Sequence, residues 1–244
     1  QRRRSSEPLG RGSQTVSNNR ANVKCNRRTL LISASALTLS GCNAPFGLDY
    51  GTIKKIVAVS AGIEDPPGIT LSQASAVPFS SIGYRIGKSS EGMLILANKA
   101  DDQLLWTSAD RIALITVAGR IVKTGGLRWN LSDTVSRESD PLKEILNLST
   151  DSVQSHRLVD FRDIGKFSVT IAAELKRIGP QPITVLGSKI STVAFVERCE
   201  ARELDWSFEN RFWADSDSGF IWKTYQHVHP NLAPITTEIL RQPA

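Results

Sequence analysis

The chain has 244 residues, with 30 Lys or Arg against 24 Asp or Glu, so its formal net charge at pH 7 is +6. Eight basic residues precede Cys42, whereas Glu7 is the single acidic residue before it. The rest of the chain therefore has 22 basic and 23 acidic residues. The net charge therefore gives no reason to expect nucleic-acid binding, and the roughly 200 residues after Cys42 suffice for one sizeable core.

The N-terminal part has the layout of an exported precursor. Residues 1–22 are polar and lack hydrophobic periodicity, so we expect a disordered extension or an over-extended start. Residues 23–41 place the basic pair Arg27-Arg28 before a short apolar run and small residues, as a signal peptide does. The pair faintly resembles a twin-arginine export signal, but an ordinary basic segment is favoured. As a helix the run is too short to span a bilayer core of about 30 Å.

The end of the signal is more specific. Leu39-Ser40-Gly41-Cys42 resembles the lipobox of bacterial lipoproteins. The resemblance implies diacylglycerol on the Cys42 thiol, cleavage before Cys42 and acylation of the new amino group, which would anchor the chain stably. The alternative is a chance cysteine after an ordinary signal. We expect residues 42–47 to form a lipidated tether, and Asn43, where Asp would signal inner-membrane retention, favours the outer membrane.

Residues 48–244 have the pattern of a β-rich domain. Apolar residues within residues 48–61 recur at helical spacing, which predicts a short helix that ends before Asp65-Pro66-Pro67-Gly68. Asp140 followed by Pro141 predicts the start of a second short helix. Alternation and turn composition predict strands at residues 81–86, 93–97, 103–107, 111–117, 120–123, 156–163, 166–177, 183–186, 190–204, 211–214, 220–228 and 235–240. The predicted fold is mainly β, a single antiparallel β-domain with one or two short helices behind a lipoprotein signal peptide.

Two of the predicted strands have a clear apolar face. In residues 166–177 this face holds Val169, Ile171, Ala173 and Leu175. In residues 190–204 it holds Val193, Phe195, Cys199 and Ala201, and it is interrupted by Glu197. We interpret Cys199 as a buried small hydrophobe.

Few residues suggest a metal or a cofactor. Residues 215–219 resemble the start of a calcium loop, but the glycine is fifth and position twelve is Gln226, so a turn between strands is favoured. His227 and His229 could bind a metal from one face of a strand, with His156 as the remaining histidine, but a structural or surface role is favoured. We predict no metal and no cofactor.

Evidence for an enzyme is equally weak. The sequence has no Gly-x-Ser-x-Gly nucleophile elbow and no phosphate-binding loop. A glycosidase would need two carboxylates across a groove. The candidate carboxylates are Glu197, Glu200, Glu203, Asp205 and Asp215. The favoured explanation for them is alternating charge on a solvated strand. We expect no catalytic residues.

Tryptophans can stack on sugar rings or contact a partner. The candidates among the five in the chain are Trp129, Trp213 and Trp222. Trp213 and Trp222 flank the same predicted turn, so packing against each other across the hairpin, as a core pair, is favoured over sugar stacking.

Several segments resemble the YjbF-type lipoproteins, the family that includes the group 4 capsule lipoprotein. They occur in matching order at residues 105–110, 114–116, 119–124, 140–142 and 210–216, with Gly219. The resemblance implies a mainly β fold with coiled, branching sheets, and an outer-membrane lipoprotein that faces the periplasm. It also implies a part in making or exporting surface polysaccharide. It supplies no catalytic residue, and Cys42 alone is transferred as a site.

Three functions stay open. The favoured one is a non-enzymatic lipoprotein of an exopolysaccharide or capsule export system. The others are a periplasmic glycan-modifying enzyme and a structural envelope lipoprotein that binds another protein through a sheet edge. The expected partners are membrane lipid through acylated Cys42, other polysaccharide-secretion proteins and the polysaccharide itself.

Overall fold

The chain folds into one large antiparallel sheet and a small two-stranded ribbon. A computed structural model describes residues 68–136, 138–148 and 152–243; the predicted signal peptide, Cys42 and the predicted helix at residues 48–61 lie outside them. The strands are β1 (Ser81–Ile86), β2 (Gly92–Ala100), β3 (Gln103–Thr107), β4 (Ala113–Val117), β5 (Arg120–Gly125), β6 (Asp133–Ser136), β7 (Ser152–Phe161), β8 (Lys166–Pro180), β9 (Ile183–Val185), β10 (Ser188–Ile190), β11 (Thr192–Ala201), β12 (Trp206–Asp215), β13 (Ile221–Gln226) and β14 (Ile235–Arg241).

The helices in the described part are short. One α-helix, α1 (Leu71–Ser75), precedes β1, and 3₁₀ segments lie at Pro141–Asn147, Arg162–Ile164 and Arg202–Leu204. The side chain of Asp140 accepts a hydrogen bond from the Leu142 N–H at 3.0 Å. Asp140 is therefore an N-cap, as predicted, and the segment that it caps is a 3₁₀ helix. None of the helices among the described residues has the length and apolar character needed to cross a bilayer.

The large sheet has the strand order β5-β4-β3-β2-β1-β14-β13-β12-β11-β8-β7-β6 and curls until it is nearly closed. Every neighbouring pair is antiparallel. The curl brings β13 across the interior to β5, where the Ile121 N–H donates to Gln226 Oε1 at 3.0 Å. Gln226 Nε2 in turn donates to the Gly119 carbonyl oxygen at 2.8 Å. The predicted mainly antiparallel β fold is confirmed.

Local sequence explains much of the strand layout. The four residues predicted to share one face of β8 are all buried, as are the four on β11. The turn between β4 and β5 consists of Ala118 (φ 44°) and Gly119 (φ 79°), because a two-residue hairpin that matches the strand twist needs positive φ at both positions. Helix α1, strands β6 and β10, and the 3₁₀ segments at Arg162–Ile164 and Arg202–Leu204 were not predicted.

The inner face of the sheet holds two apolar clusters. One includes Leu94, Trp106, Leu114 and Phe161, and the other is centred on Phe195 and Phe212. Full burial of each such side chain contributes roughly 1.5–3 kcal/mol to stability. A row of polar side chains separates the clusters, since the inward residues of β11 run in the order Phe195, Glu197, Cys199.

Glu197 is the centre of that polar row, and its placement corrects the prediction of a solvated carboxylate. Its side chain is 0% exposed, because the inward face of β11 includes position 197. Arg120 Nη2 donates to Glu197 Oε1 at 2.8 Å, Arg157 Nη1 donates to the same oxygen at 3.0 Å, and Asn210 Nδ2 donates to Oε2 at 2.8 Å. Asp140 forms a second ion pair with Arg120. The cluster thus pairs two buried cations with two anions.

The electrostatics of this cluster keep it ionised. Burial alone would raise the pKa of Glu197, but the adjacent guanidinium groups of Arg120 and Arg157 outweigh burial and hold that pKa well below its ordinary value. Burial raises the pKa of the neighbouring Cys199 thiol to about 12, and the Glu197 charge adds to the effect. Cys199 is therefore buried, as predicted, and its raised pKa favours the protonated thiol at neutral pH.

Candidate functional site

A large concave surface lies on the outer face of β1, β14, β13 and β12. We call it the outer groove; its volume is about 840 Å³. It is lined by Gly68, Ile69, Arg85, Glu91, Glu209, Arg211, Trp213, Lys223, Tyr225, His227, Thr236 and Glu238. Its lining combines aromatic rings with charged groups of both signs, which is typical of a site for a polar ligand that has flat apolar faces.

Strand register arranges the floor of the groove in two rows. Because residues in direct register on neighbouring strands share one face, outward residues of the four strands line up side by side. The first row, here the tyrosine row, consists of Arg85, Thr236, Tyr225 and Arg211. The second, the tryptophan row, consists of Gly83, Glu238, Lys223 and Trp213. Each row presents one aromatic ring beside hydrogen-bonding groups.

The charges in the groove are largely paired with one another. Lys223 Nζ donates to Glu238 Oε2 at 3.0 Å, across the β13–β14 pair. Arg211 donates through Nε and Nη2 to Glu209 Oε1, at 3.1 and 2.9 Å, along β12. Arg85 has no ion pair among the residues that the structure describes. These groups are partly exposed, so each pair contributes about 1 kcal/mol or less to stability and can rearrange around a ligand.

The two sides of the groove are held by hydrogen bonds. On the β1 side, the Ile69 N–H donates to Glu91 Oε2 at 2.6 Å. Glu91 lies against Gly83, where an added Cβ would be 2.9 Å from its Oε1, so this glycine makes room for the carboxylate. On the β12 side, Trp213 Nε1 donates to Gln181 Oε1 at 3.2 Å. The indole is therefore oriented before any ligand binds.

His227 connects the groove to the buried polar cluster. Its backbone N–H donates to Asn210 Oδ1 at 2.8 Å, and Asn210 itself donates to Glu197. The ring Nδ1 lies 3.1 Å from the Glu209 carbonyl oxygen, and the ring packs edge-on to Tyr225 with centroids 5.5 Å apart. Burial lowers the pKa of His227, which favours the neutral ring at pH 7. The cluster inside the sheet thus fixes the end of the groove outside it.

The three tryptophans predicted to contact a glycan or a partner lie in three different places. Trp213 is in the outer groove. Trp129 stacks on His229, with centroids 5.5 Å apart and planes at 14°. Trp222 lines a smaller cavity of about 300 Å³ on the inner side, and packs edge-on to Phe220.

The expected core pair of Trp213 and Trp222 is wrong. The register places Trp213 opposite Lys223 and Ala214 opposite Ile221, so Trp222 falls in a bulge. Trp213 therefore points outward, while Trp222 turns toward the inner cavity, and both are half-buried. A bulge changes the face on which the next side chain lies, and alternation alone could not reveal it.

The histidines do not converge on a common point. His229 is fully buried: its Nδ1 accepts from the Asn231 N–H at 3.0 Å, and its Nε2 lies 3.2 Å from Asp163 Oδ1. His227 instead contacts Glu209, and His156 is exposed on β7. In the ranges that the structure describes, no three His, Cys, Asp or Glu side chains are grouped as a metal site would require.

The carboxylates considered for catalysis are also dispersed. Glu197 is inside the sheet, and Glu200 lies on the outer face, where it pairs with Arg202 at 3.3 Å. Glu203 accepts a hydrogen bond from the Thr170 N–H. Asp215 accepts from the backbone N–H and hydroxyl of Ser218, which supports the turn interpretation of residues 215–219. Asp205 follows the 3₁₀ segment at positive φ. The lipidation site Cys42 lies outside the described residues.

Sequence reasoning missed most of the groove, including Arg85, Tyr225, Arg211 and Glu238. A signal was present, since Glu209, Arg211 and Trp213 alternate with buried residues on β12. That alternation shows what points outward on one strand. It does not show which strands are neighbours, and β1 and β13 are far apart in the sequence.

Comparison with known proteins agrees with the fold. A family model described as group 4 capsule polysaccharide lipoprotein GfcB, YjbF matches residues 50–240. The chain is 24% identical over 216 residues to the uncharacterized lipoprotein GfcB of Escherichia coli K12, covering 88% of this chain and 98% of that protein. It is 26% identical over 191 residues to the E. coli K12 lipoprotein YjbF, covering 72% and 82%.

A solved structure shows the same fold. The crystal structure of the hypothetical lipoprotein YmcC from E. coli K12 superposes with a TM-score of 0.65 at 22% identity, covering 81% of this chain and 97% of that one. Since the family model covers most of the chain, the family resemblance inferred from the sequence is confirmed. The chain belongs to the YjbF family of group 4 capsule polysaccharide lipoproteins.

Proposed function

We propose that this protein is a non-enzymatic lipoprotein of the bacterial cell envelope that takes part in the production or export of capsule or exopolysaccharide. In this proposal, acylated Cys42 anchors it in the outer membrane with the β-domain facing the periplasm. The outer groove binds polysaccharide there, beside other proteins of the secretion system.

The observation that supports this proposal most directly is the make-up of the outer groove. Trp213 and Tyr225 offer aromatic faces of the kind on which sugar rings stack. Around them lie side chains that can donate or accept hydrogen bonds from sugar hydroxyls, namely Thr236, Lys223 and Glu238. A floor built on four paired strands keeps these groups in a fixed arrangement, which limits the entropy lost on binding.

The hydrogen bonds of the groove carboxylates favour a role in glycan binding over catalysis on a glycan. Glu209 is bonded to Arg211, Glu238 to Lys223, and Glu91 to a backbone N–H. A glycosidase needs two carboxylates that are free to act on opposite sides of the glycosidic bond, whereas each of these three already accepts a hydrogen bond within the protein. These groups are therefore better suited to accepting hydrogen bonds from a bound sugar.

The proposal is tested by binding to surface polysaccharide extracted from cells that make the protein. The full chain, purified in detergent, is titrated with this polysaccharide by isothermal calorimetry. We expect Trp213→Ala to weaken binding roughly three- to tenfold, the equivalent of one aromatic contact.

The matched control is Phe167→Ala, which removes another aromatic ring that is 60% exposed but lies outside the groove. It should bind like the wild type. Absence of binding by the wild type, or equal weakening by both variants, would contradict a glycan-binding role for the groove.

A further inference from the structure

We propose that the outer groove selects an acidic glycan, with Arg85 and Arg211 as the two groups that bind its carboxylates. This inference rests on the proposed function, because it names the class of sugar that the same groove recognises. It is based on the positions, contacts and charge balance of the tyrosine row.

Arg85 stands at one end of the row and forms no ion pair in the described part of the chain. Its neighbour in register, Thr236, is neutral, and the nearby Glu91 is bonded to the Ile69 N–H. A guanidinium group binds a carboxylate through two parallel hydrogen bonds, which a neutral hydroxyl cannot reproduce. Arg85 therefore has the geometry and charge to distinguish an acidic sugar from a neutral one.

Arg211 stands at the other end of the same row. Both of its bonds to Glu209 use one carboxylate oxygen and leave the Nη1 group outside that contact. The Arg211 side chain is 55% exposed, so a ligand can reach it without disturbing the core. Arg211 can thus bridge Glu209 and a second carboxylate.

The spacing of the two arginines fits a glycan that lies across the strands. They are separated by three strand intervals of about 4.8 Å, hence about 14 Å at the backbone. Between them, Thr236 supplies a hydroxyl and Tyr225 supplies an aromatic face. This order matches a chain in which uncharged sugars separate the acidic ones.

The acids in the groove argue against a densely charged polyanion. Glu91, Glu209 and Glu238 line the same groove and would repel closely spaced phosphates or carboxylates. A sparsely acidic polysaccharide places its few carboxylates at the arginines and keeps its neutral sugars near the glutamates. Repulsion and attraction therefore select for the same class of ligand.

The test compares extracted surface polysaccharide before and after chemical reduction of its carboxyl groups to alcohols. The full chain is titrated with both forms at low salt, because the ionic part of the affinity is screened at high salt. We expect the native form to bind about tenfold more tightly than the reduced form. Arg85→Ala should weaken this preference, Arg85→Lys should retain part of it, and Arg85→Ala combined with Arg211→Ala should abolish it.

The matched control is Arg202→Ala, which removes an 85% exposed arginine outside the groove and should leave the preference unchanged. If native and reduced forms bind equally well and Trp213→Ala still weakens both, the acidic selectivity is wrong while the glycan-binding groove stands. If neither form binds, both proposals fail. If Arg85→Ala and Arg202→Ala lower the preference equally, general charge attraction replaces the assigned role of Arg85.

Discussion

Replacing Glu197 by Gln should destabilise the fold strongly, because it removes one charge from a buried, balanced cluster. The substitution keeps the size of the side chain, so no cavity is created. Arg157 loses the carboxylate to which it donates at 3.0 and 3.3 Å, and Arg120 retains Asp140 alone. Leaving a buried charge uncompensated costs about 3–5 kcal/mol. That is a large share of the roughly 5–15 kcal/mol that stabilises a typical domain.

Urea unfolding at pH 7, followed by tryptophan fluorescence, measures this loss. With an m value of about 2–3 kcal/mol per molar urea, the expected decrease corresponds to a midpoint lower by roughly 1–2.5 M. The matched control is Glu200→Gln, three residues away on the outer face of β11, where the carboxylate is 49% exposed. It should change the free energy of unfolding by about 0.5 kcal/mol or less. Equal effects of the two substitutions would refute the assignment of a buried, charge-balanced cluster.

Three further predictions follow from single groups. The folded pKa of Glu197 is held below its unfolded value of about 4.3, so its contribution to stability is present above that pH and is lost on acidification. In thermal melts, the wild type should therefore lose more stability than Glu197→Gln between about pH 5 and pH 3. Parallel curves for the two proteins would contradict this. Cys199, with its raised pKa, should resist iodoacetamide at pH 8 until urea unfolds the chain, as peptide mass spectrometry can show; rapid labelling of the folded protein would contradict its burial. Gly126→Ala should lower the free energy of unfolding by about 3 kcal/mol or more, because φ is positive and the new Cβ would collide with the Arg111 carbonyl oxygen. The control Gly187→Ala, at φ 84° with open space around the new Cβ, should lower it by about 1–2 kcal/mol. Equal losses in urea unfolding would contradict the steric argument.

The sequence predicted those parts of the fold that depend on neighbouring residues. The apolar faces of β8 and β11 follow from simple alternation, and the 3₁₀ segment after Asp140 follows from its cap and proline. The helix α1 also has a local signal, since Thr70 and Gln73 form a capping box. Strand β6 has four residues, too few for a clear alternation.

Long-range pairing determines the rest. The sequence predicts Glu197 as a charge on a solvated strand. Its burial could not be predicted, because its two arginine partners are 40 and 77 residues away in the sequence. The tyrosine row requires β1 to pair with β14 and β14 with β13, which no local pattern specifies. The bulge at Trp222 likewise depends on how β13 pairs with β12. The candidate site could therefore not be assembled from sequence patterns alone.

The most direct test of the central claim is the amount of cell-surface polysaccharide in a strain that lacks the gene, complemented at equal protein levels. We predict that deletion lowers surface polysaccharide and that the wild type restores it. Cys42→Ala should fail to restore it, Trp213→Ala should restore it in part, and the control Phe167→Ala should restore it fully. Unchanged polysaccharide after deletion, or full restoration by both Cys42→Ala and Trp213→Ala, would contradict an anchored, glycan-binding role in capsule export.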